Sequence, residues 1–284
     1  MNQETITYLT NIVIGVILAA LATNFWSQRR SGVLTCWAIA AWVLTLADVL
    51  FAARQVMPHA LGRLLPPLCV TVGQAVLLCG AHKTAGIAPR WRLGIVVVAV
   101  HAAGLVGFLF VESPTNFRMA FNGLVWGGLA VASARCLRQG APPFWQSVFA
   151  PASAFVAHAA FHALRVVAAI LCARYDWTRA SEVLQVAGDL EVSFFMVALF
   201  VGLLIAHLQL QHEELMQTRA EVQALSGLLP ICAWCKKVRD DDGYWQQVDE
   251  YFCQHSNVRF THGVCLDCME RLSDEPVEAP VPPR

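Results

Sequence analysis

Charge is scarce in this sequence of 284 residues: 14% of positions are Asp, Glu, Lys or Arg, where an ordinary soluble domain carries about 25%. With 57% hydrophobic residues and a mean hydropathy of +0.52, that scarcity excludes a disordered chain and argues against a single soluble globule. Net charge is absent as well. Twenty basic residues face 20 acidic ones, so no bulk basic surface exists to hold nucleic acid. The motifs of catalysis are missing too. There is no phosphate loop, no nucleophile–base spacing and no catalytic zinc motif, and no kinase, receiver or cyclase domain fits in residues 210–284. The expectation is a protein without enzymatic activity.

The neutral total hides an asymmetry. Residues 1–209 have a charge balance of +6 and residues 210–284 one of −6, and hydrophobicity falls at the same place. The first part contains seven stretches of the roughly 20 apolar residues that a bilayer-spanning helix requires: 8–26, 33–53, 60–81, 93–112, 118–136, 149–173 and 188–209. No Lys or Arg precedes the first run and Arg29 and Arg30 follow it, unlike a cleavable signal peptide. The sequence thus predicts an all-α membrane protein with a seven-transmembrane helix bundle at 1–209. Loops after spans 1, 3 and 5 carry more basic residues (Arg29, Arg30, Lys83, Arg90, Arg92, Arg135, Arg138) than those after spans 2, 4 and 6. The positive-inside rule then puts the N-terminus outside and the C-terminus in the cytoplasm.

Ionisable residues within spans are costly, which makes them candidate functional residues. His158, His162 and Arg165 follow one another at i, i+4 and i+7 and share a helix face. Asp48, His101, Asp189 and Glu191 lie in or at the start of other spans. Three readings stay open. These groups line a ligand pocket open to the outside, with Arg165 neutralised by Glu191 or Asp48. Alternatively His101, with His158 or His162, ligates haem or a metal. In the third, the histidines only hydrogen-bond neighbouring helices together. A further expectation is that Asp189 and Glu191 cap the start of the last span.

Beyond the last span, Leu208, Leu215, Val222 and Leu229 recur every seven residues amid polar neighbours. This pattern predicts a connector helix over 210–229, which either packs on its own soluble module or pairs with a second copy as a homodimer.

Of the ten cysteines, Cys36, Cys69, Cys79, Cys136 and Cys172 lie in or beside apolar spans, where they serve as small hydrophobes. Four others form two pairs, Cys232-x-x-Cys235 and Cys265-x-x-Cys268. In a reducing compartment such pairs read as metal ligands. Four thiolates suit a closed, structural Zn²⁺ site, and residues 230–272 have too little core to be stable without such a staple. His262 could replace one thiolate or hydrogen-bond to another. A redox dithiol pair and an iron–sulfur cluster are the alternatives. No His follows either pair directly, so covalent c-type haem is excluded. Residues 239–243 read as a turn, 244–255 as a helix with Trp245, Val248, Tyr251 and Phe252 on one face, 258–260 as an extended piece and 268–272 as the start of a closing helix. Residues 273–284, rich in Pro and Glu, read as a disordered tail.

The run 225–240 (LSGLLPICAWCKKVRD), Asp242-Gly-Tyr-Trp245, Tyr251, His255-Ser256 and Thr261-His-Gly-Val-Cys-Leu-Asp-Cys268 resembles a cysteine-rich tail found on many bacterial signalling proteins. There it follows PAS domains, response-regulator receivers or membrane sensor regions. The resemblance implies a bacterial two-component or related sensory setting and supplies no catalytic activity. The expected function is that of a sensor or adaptor in the bacterial inner membrane. It would relay a signal through the connector to a zinc-ribbon or treble-clef-like cytoplasmic module, and from there to a cytoplasmic signalling protein. The alternative is a membrane redox protein using the span histidines and the cysteine pairs.

Overall fold

The computed structural model describes residues 3–110, 115–175, 177–226, 230–240, 242–255, 259–261 and 263–274. They fall into two compact units, Met1–Glu214 and Leu215–Arg284.

Six long helices and most of a seventh, which runs on past Glu214, build the first unit: α1 (Gln3–Arg29), α2 (Gly32–Ala53), α3 (His59–Thr84), α4 (Trp91–Phe110), α5 (Thr115–Leu137), α6 (Pro151–Tyr175) and α7 (Thr178–Ser226). Six of them are long and apolar enough to cross a bilayer. The protein is therefore an all-α, multi-pass membrane protein. The exception is α5. It has 23 residues, a spanning length, but carries Asn116, Arg118, Asn122 and Arg135. It is nevertheless packed along α6 and α3.

Local chemistry explains the connections. Only Arg30 and Ser31 separate α1 from α2. Arg30 takes a positive φ of 32° to turn the chain, and the Ser31 hydroxyl accepts the Leu34 amide at 3.1 Å, capping α2. At the end of α3, Gly86 with φ 71° forms a left-handed stop. Its amide bonds to Lys83 O and the Ile87 amide to His82 O, the two bonds of a Schellman motif. Pro66 and Pro67 lie inside α3 and remove two backbone donors. One turn on, the Thr71 hydroxyl reaches back to Pro67 O at 3.0 Å.

Trp37, Leu44, Leu77, Leu137, Phe155, Phe195 and Leu199 form the bundle core. Large apolar residues such as Leu93, Ile95, Val96 and Val100 on α4 face outward, as suits a helix surrounded by lipid. Small residues bring the helices close: a Cβ on Gly73 would stand 2.7 Å from the Leu44 side chain. The first part of α7 closes the bundle between α1 and α6, through Tyr8 and Asn11 on one side and Phe155 packed edge-on to Phe195 on the other.

Helix α7 runs unbroken for 49 residues, through the first 17 residues of the expected connector. Leu208, Leu215 and Val222 on its seven-residue repeat are all about half exposed. Because α7 begins at Thr178, Asp189 and Glu191 lie in its interior. They do not cap a span.

In the second unit, β1 (Val238–Arg239) and β2 (Trp245–Gln246) pair antiparallel, and α8 (Val248–His255) and α9 (Leu266–Asp274) follow. The helix expected over 244–255 thus starts four residues late. Its first residues are a strand because Asp240 ties the hairpin: its carboxylate accepts the Tyr244 amide at 2.7 Å and the Gln246 side-chain amide at 2.5 Å. Gly243, with φ 90°, supplies the left-handed turn. The closing helix begins at Leu266, two residues before its expected start. Of the extended piece expected at 258–260, residue 258 lies outside the described residues, and 259–260 form no strand. Val238 is the buried apolar residue among those described here, at 1% exposure.

Candidate functional site: a polar cavity and an intramembrane histidine cluster

All seven helices contribute to the wall of a cavity of about 460 Å³ at the end of the bundle that carries the α2–α3, α4–α5 and α6–α7 connections. Four arginines line it: Arg54, Arg63, Arg118 and Arg165. Asp48 and Asp189 are the acidic residues of the lining. Cationic side chains therefore outnumber anionic ones in a partly enclosed space, where water screens charge less than at an open surface.

Neighbouring side chains fix this wall. The Tyr8 hydroxyl donates to Asp189 Oδ2 at 2.9 Å and the Asn11 amide donates to Asp189 O at 2.9 Å. Ser193 in turn donates to Asn11 Oδ1. The Tyr8 ring stacks on Phe51 and carries the Arg54 guanidinium 5.7 Å from its centroid, a cation–π contact. The Arg165 guanidinium lies against the backbone of Gly188, and Arg165 itself is buried.

One turn along α6 from Arg165 lies a second polar group. His158 Nδ1 is 2.7 Å from Glu191 Oε1, and His158 Nε2 is 2.9 Å from the Gln74 side-chain nitrogen. An amide nitrogen only donates, so in this arrangement Nε2 accepts and Nδ1–H donates to the carboxylate. Phe195 stacks on the His158 ring at 3.9 Å. His162 meets His158 edge to face at 4.4 Å and Trp126 at 5.6 Å. It is 1% exposed, and neither ring nitrogen has a hydrogen-bond partner.

The residues singled out from sequence thus divide into three places. Asp48 and Arg165 line the cavity. His158, His162 and Glu191 cluster together, and Glu191 takes His158 rather than Arg165 as its hydrogen-bond partner. His101 stands apart: its Nδ1 is 2.6 Å from Thr71 Oγ1 and its Nε2 is 3.0 Å from Asn122 Oδ1. The Trp126 ring lies against both His101 and His162, and its indole N–H donates to Thr71 Oγ1 at 3.0 Å. Both His101 nitrogens are engaged, so it offers no free ligand atom beside His158 or His162.

Sequence reading missed Gln74, Thr71, Asn122, Tyr8 and Asn11. The signal was present, since uncharged polar residues inside apolar runs also seek partners across helices. It also missed Arg54, Arg63 and Arg118 as parts of a site, because each sits near the end of a helix, where a lone arginine is unremarkable.

In the second unit, Cys232, Cys235, Cys265 and Cys268 are described and His262 lies outside the described residues. The Cys232–Cys235 turn is closed by the Lys236 amide on Cys232 O at 3.0 Å and by the Cys232 amide on Lys237 O at 2.8 Å. Lys236 takes a positive φ of 59°. The amides of Cys235 and then Trp234, with the Cys235 thiol, hold the Cys232 thiol below its ordinary pKa. The Cys268 amide and thiol do the same for Cys265. These are the electrostatics a thiolate ligand requires. Among the described residues, the set of three or more metal-donor side chains with ligand atoms all within 4.8 Å of one another is His158, His162 and Glu191. The two cysteine pairs do not form such a set.

No protein-family model, curated protein or solved structure matches the chain.

Proposed function

We propose that the protein is a sensor or adaptor of the bacterial inner membrane, which receives a small anionic molecule in the cavity and relays its presence along α7. The observation that carries this reading is the convergence of Arg54, Arg63, Arg118 and Arg165 on one cavity of about 460 Å³. Guanidinium groups pair with carboxylates and phosphates in two-pronged geometry. Asp189 sits on α7, so a ligand that re-pairs the arginines changes the forces on that helix. Such a ligand shifts the protein between states only through unequal affinity for them.

In this proposal α5 crosses the bilayer as the seventh span, with Arg118 and Asn122 turned to the cavity and Asn122 also to His101. The N-terminus is outside, the cavity opens outward, and the C-terminus is cytoplasmic, as the loop charges suggest. Cys232, Cys235, Cys265 and Cys268 hold Zn²⁺ in the cytoplasm. The donor set fits: four thiols, two of them held toward the thiolate form by backbone amides, in a unit whose described residues include a single buried apolar side chain, Val238. The ion supplies a closed structural cross-link, and the folded unit contacts a cytoplasmic signalling protein.

The test is a thermal-unfolding screen of the full chain in lipid nanodiscs against small carboxylates and phosphate monoesters. A subset should raise the unfolding temperature of the wild type and not that of the Arg63→Gln/Arg118→Gln double variant. No shift with any anion, or equal shifts in both proteins, would sink the proposal.

A further inference from the structure

The polar cluster of His158, His162, Glu191 and Gln74 has lone pairs with nothing to meet them. Neither nitrogen of His162 has a partner, nor does Glu191 Oε2, nor Gln74 Oε1. An unpartnered polar atom is costly in a dry interior. The donor atoms of His158, His162 and Glu191 all lie within 4.8 Å of one another. We propose that His158, His162 and Glu191 bind a divalent first-row transition cation of the Zn²⁺ or Fe²⁺ class in the middle of the bundle. This site is independent of the anion cavity and of the cysteine tail.

The arrangement favours such an ion in three ways. First, His158 and His162 are one turn apart on one face of α6, the spacing by which two imidazoles share a metal. Phe195 and Trp126 fix their rings. Second, the donor set is two imidazoles and one carboxylate. That set suits Zn²⁺, Fe²⁺ or Co²⁺ and not Mg²⁺ or Ca²⁺, which take oxygen ligands. Third, the proton inventory closes without loss of a proton. His158 Nδ1–H now donates to Glu191. Turning the Gln74 amide over places its unpartnered Oε1 opposite His158 Nε2, which then carries the hydrogen as a donor. Nδ1 and the Glu191 carboxylate are both freed for the cation. Gln74 becomes the group that orients a ligating histidine, a role commonly filled by a carbonyl or carboxylate oxygen.

Arg165 lies on the same face of α6 and would oppose a cation. Asp189 acts on it as well as Glu191, so Glu191 can be given to the metal without leaving the guanidinium uncompensated.

Cobalt distinguishes this site from the tail, because thiolate-bound Co²⁺ shows intense sulfur-to-metal charge transfer in the near ultraviolet and a nitrogen–oxygen site does not. The full chain in nanodiscs is stripped with chelator and titrated with Co²⁺. One equivalent per chain, beyond any taken up by the cysteines, should develop visible d–d bands without adding to that charge transfer. His162→Ala and Glu191→Gln should abolish those bands. Gln74→Leu, which removes only the partner of His158, should weaken binding about 10- to 100-fold. Variants are compared only when their metal-free unfolding temperature matches the wild type; should His162→Ala fail to fold, Glu191→Gln and Gln74→Leu carry the test. Cobalt that shows sulfur charge transfer alone, or folded variants that bind like the wild type, would overturn the proposal.

Discussion

The guanidinium of Arg165 rests on the backbone of Gly188, so closely that a Cβ at position 188 would stand 2.5 Å from Arg165 Cζ. The glycine lets α7 approach α6 with a long cationic side chain between them and the arginine still lining the cavity.

Gly188→Val should therefore push Arg165 out of its place. Overpacking of this kind costs about 1–3 kcal/mol, read as a lower unfolding temperature in nanodiscs. Anion-induced stabilisation should fall with it. Adding Arg165→Ala to Gly188→Val should recover part of the stability, because the collision is gone, but none of the anion response. Full recovery of both would contradict the part given to Arg165.

Thr71 is a second junction. Its oxygen accepts the Trp126 indole N–H and lies 2.6 Å from His101 Nδ1. Thr71→Val keeps the shape of the side chain and removes the oxygen, stranding two buried polar groups. The expected loss is about 1–3 kcal/mol for each stranded group. Trp126 fluorescence should change with it, since the indole N–H loses its partner. Thr71→Ser keeps the hydroxyl and should largely preserve both readings.

These junctions mark the boundary of what the sequence made legible. The apolar runs could be located because a bilayer demands about 20 apolar residues at a time. The break near residue 209 could be seen because charge returns there. Pairing across helices was not legible, since the depth of Glu191 relative to His158 depends on how α7 docks on α6, and no one-dimensional spacing encodes that. Helix α7 begins ten residues before its apolar run because polar residues such as Glu182 and Gln185 are tolerated near a membrane surface. In the tail, Trp245, Val248, Tyr251 and Phe252 have helical spacing. The Asp240 side chain nonetheless captured Tyr244 and Gln246 into a hairpin, a local competition that periodicity alone does not resolve.

Zinc in the tail makes a separate expectation. Cys232→Ser should remove bound metal from the full chain, apart from any held by the bundle, and unfold residues 230–272. Among the described residues of that unit Val238 is the buried apolar one, so the metal is the main cross-link holding them. Membrane insertion should be untouched. Elemental analysis with hydrogen exchange checks both parts. Unchanged metal content, or an unchanged exchange pattern in the tail, would refute the structural role.

Thiol titration tests the two Cys-x-x-Cys turns by themselves: the amides that reach each sulfur come from within three residues of it, so these turns do not depend on the metal or on the rest of the unit staying folded. The amides of Cys235 and Trp234 stabilise the Cys232 thiolate, and the Cys268 amide stabilises that of Cys265. Both folded-state pKa values are therefore depressed relative to the unfolded chain. For a depressed acid, the stabilising contribution is present above the unfolded pKa and is lost as pH falls through the folded one. In chelator-treated full chain, the pH midpoint of iodoacetamide alkylation at these two cysteines should lie below that of the same cysteines in urea. The midpoint is the proper observable, because the intrinsic nucleophilicity of a thiolate falls together with its pKa and partly offsets its abundance. Replacing Trp234 with proline removes one of the two backbone donors to Cys232 and none of those to Cys265. The Cys232 midpoint alone should then move upward toward its value in urea. Coincident midpoints in native and urea-treated protein would show that the turns do not hold their thiolates as the geometry requires.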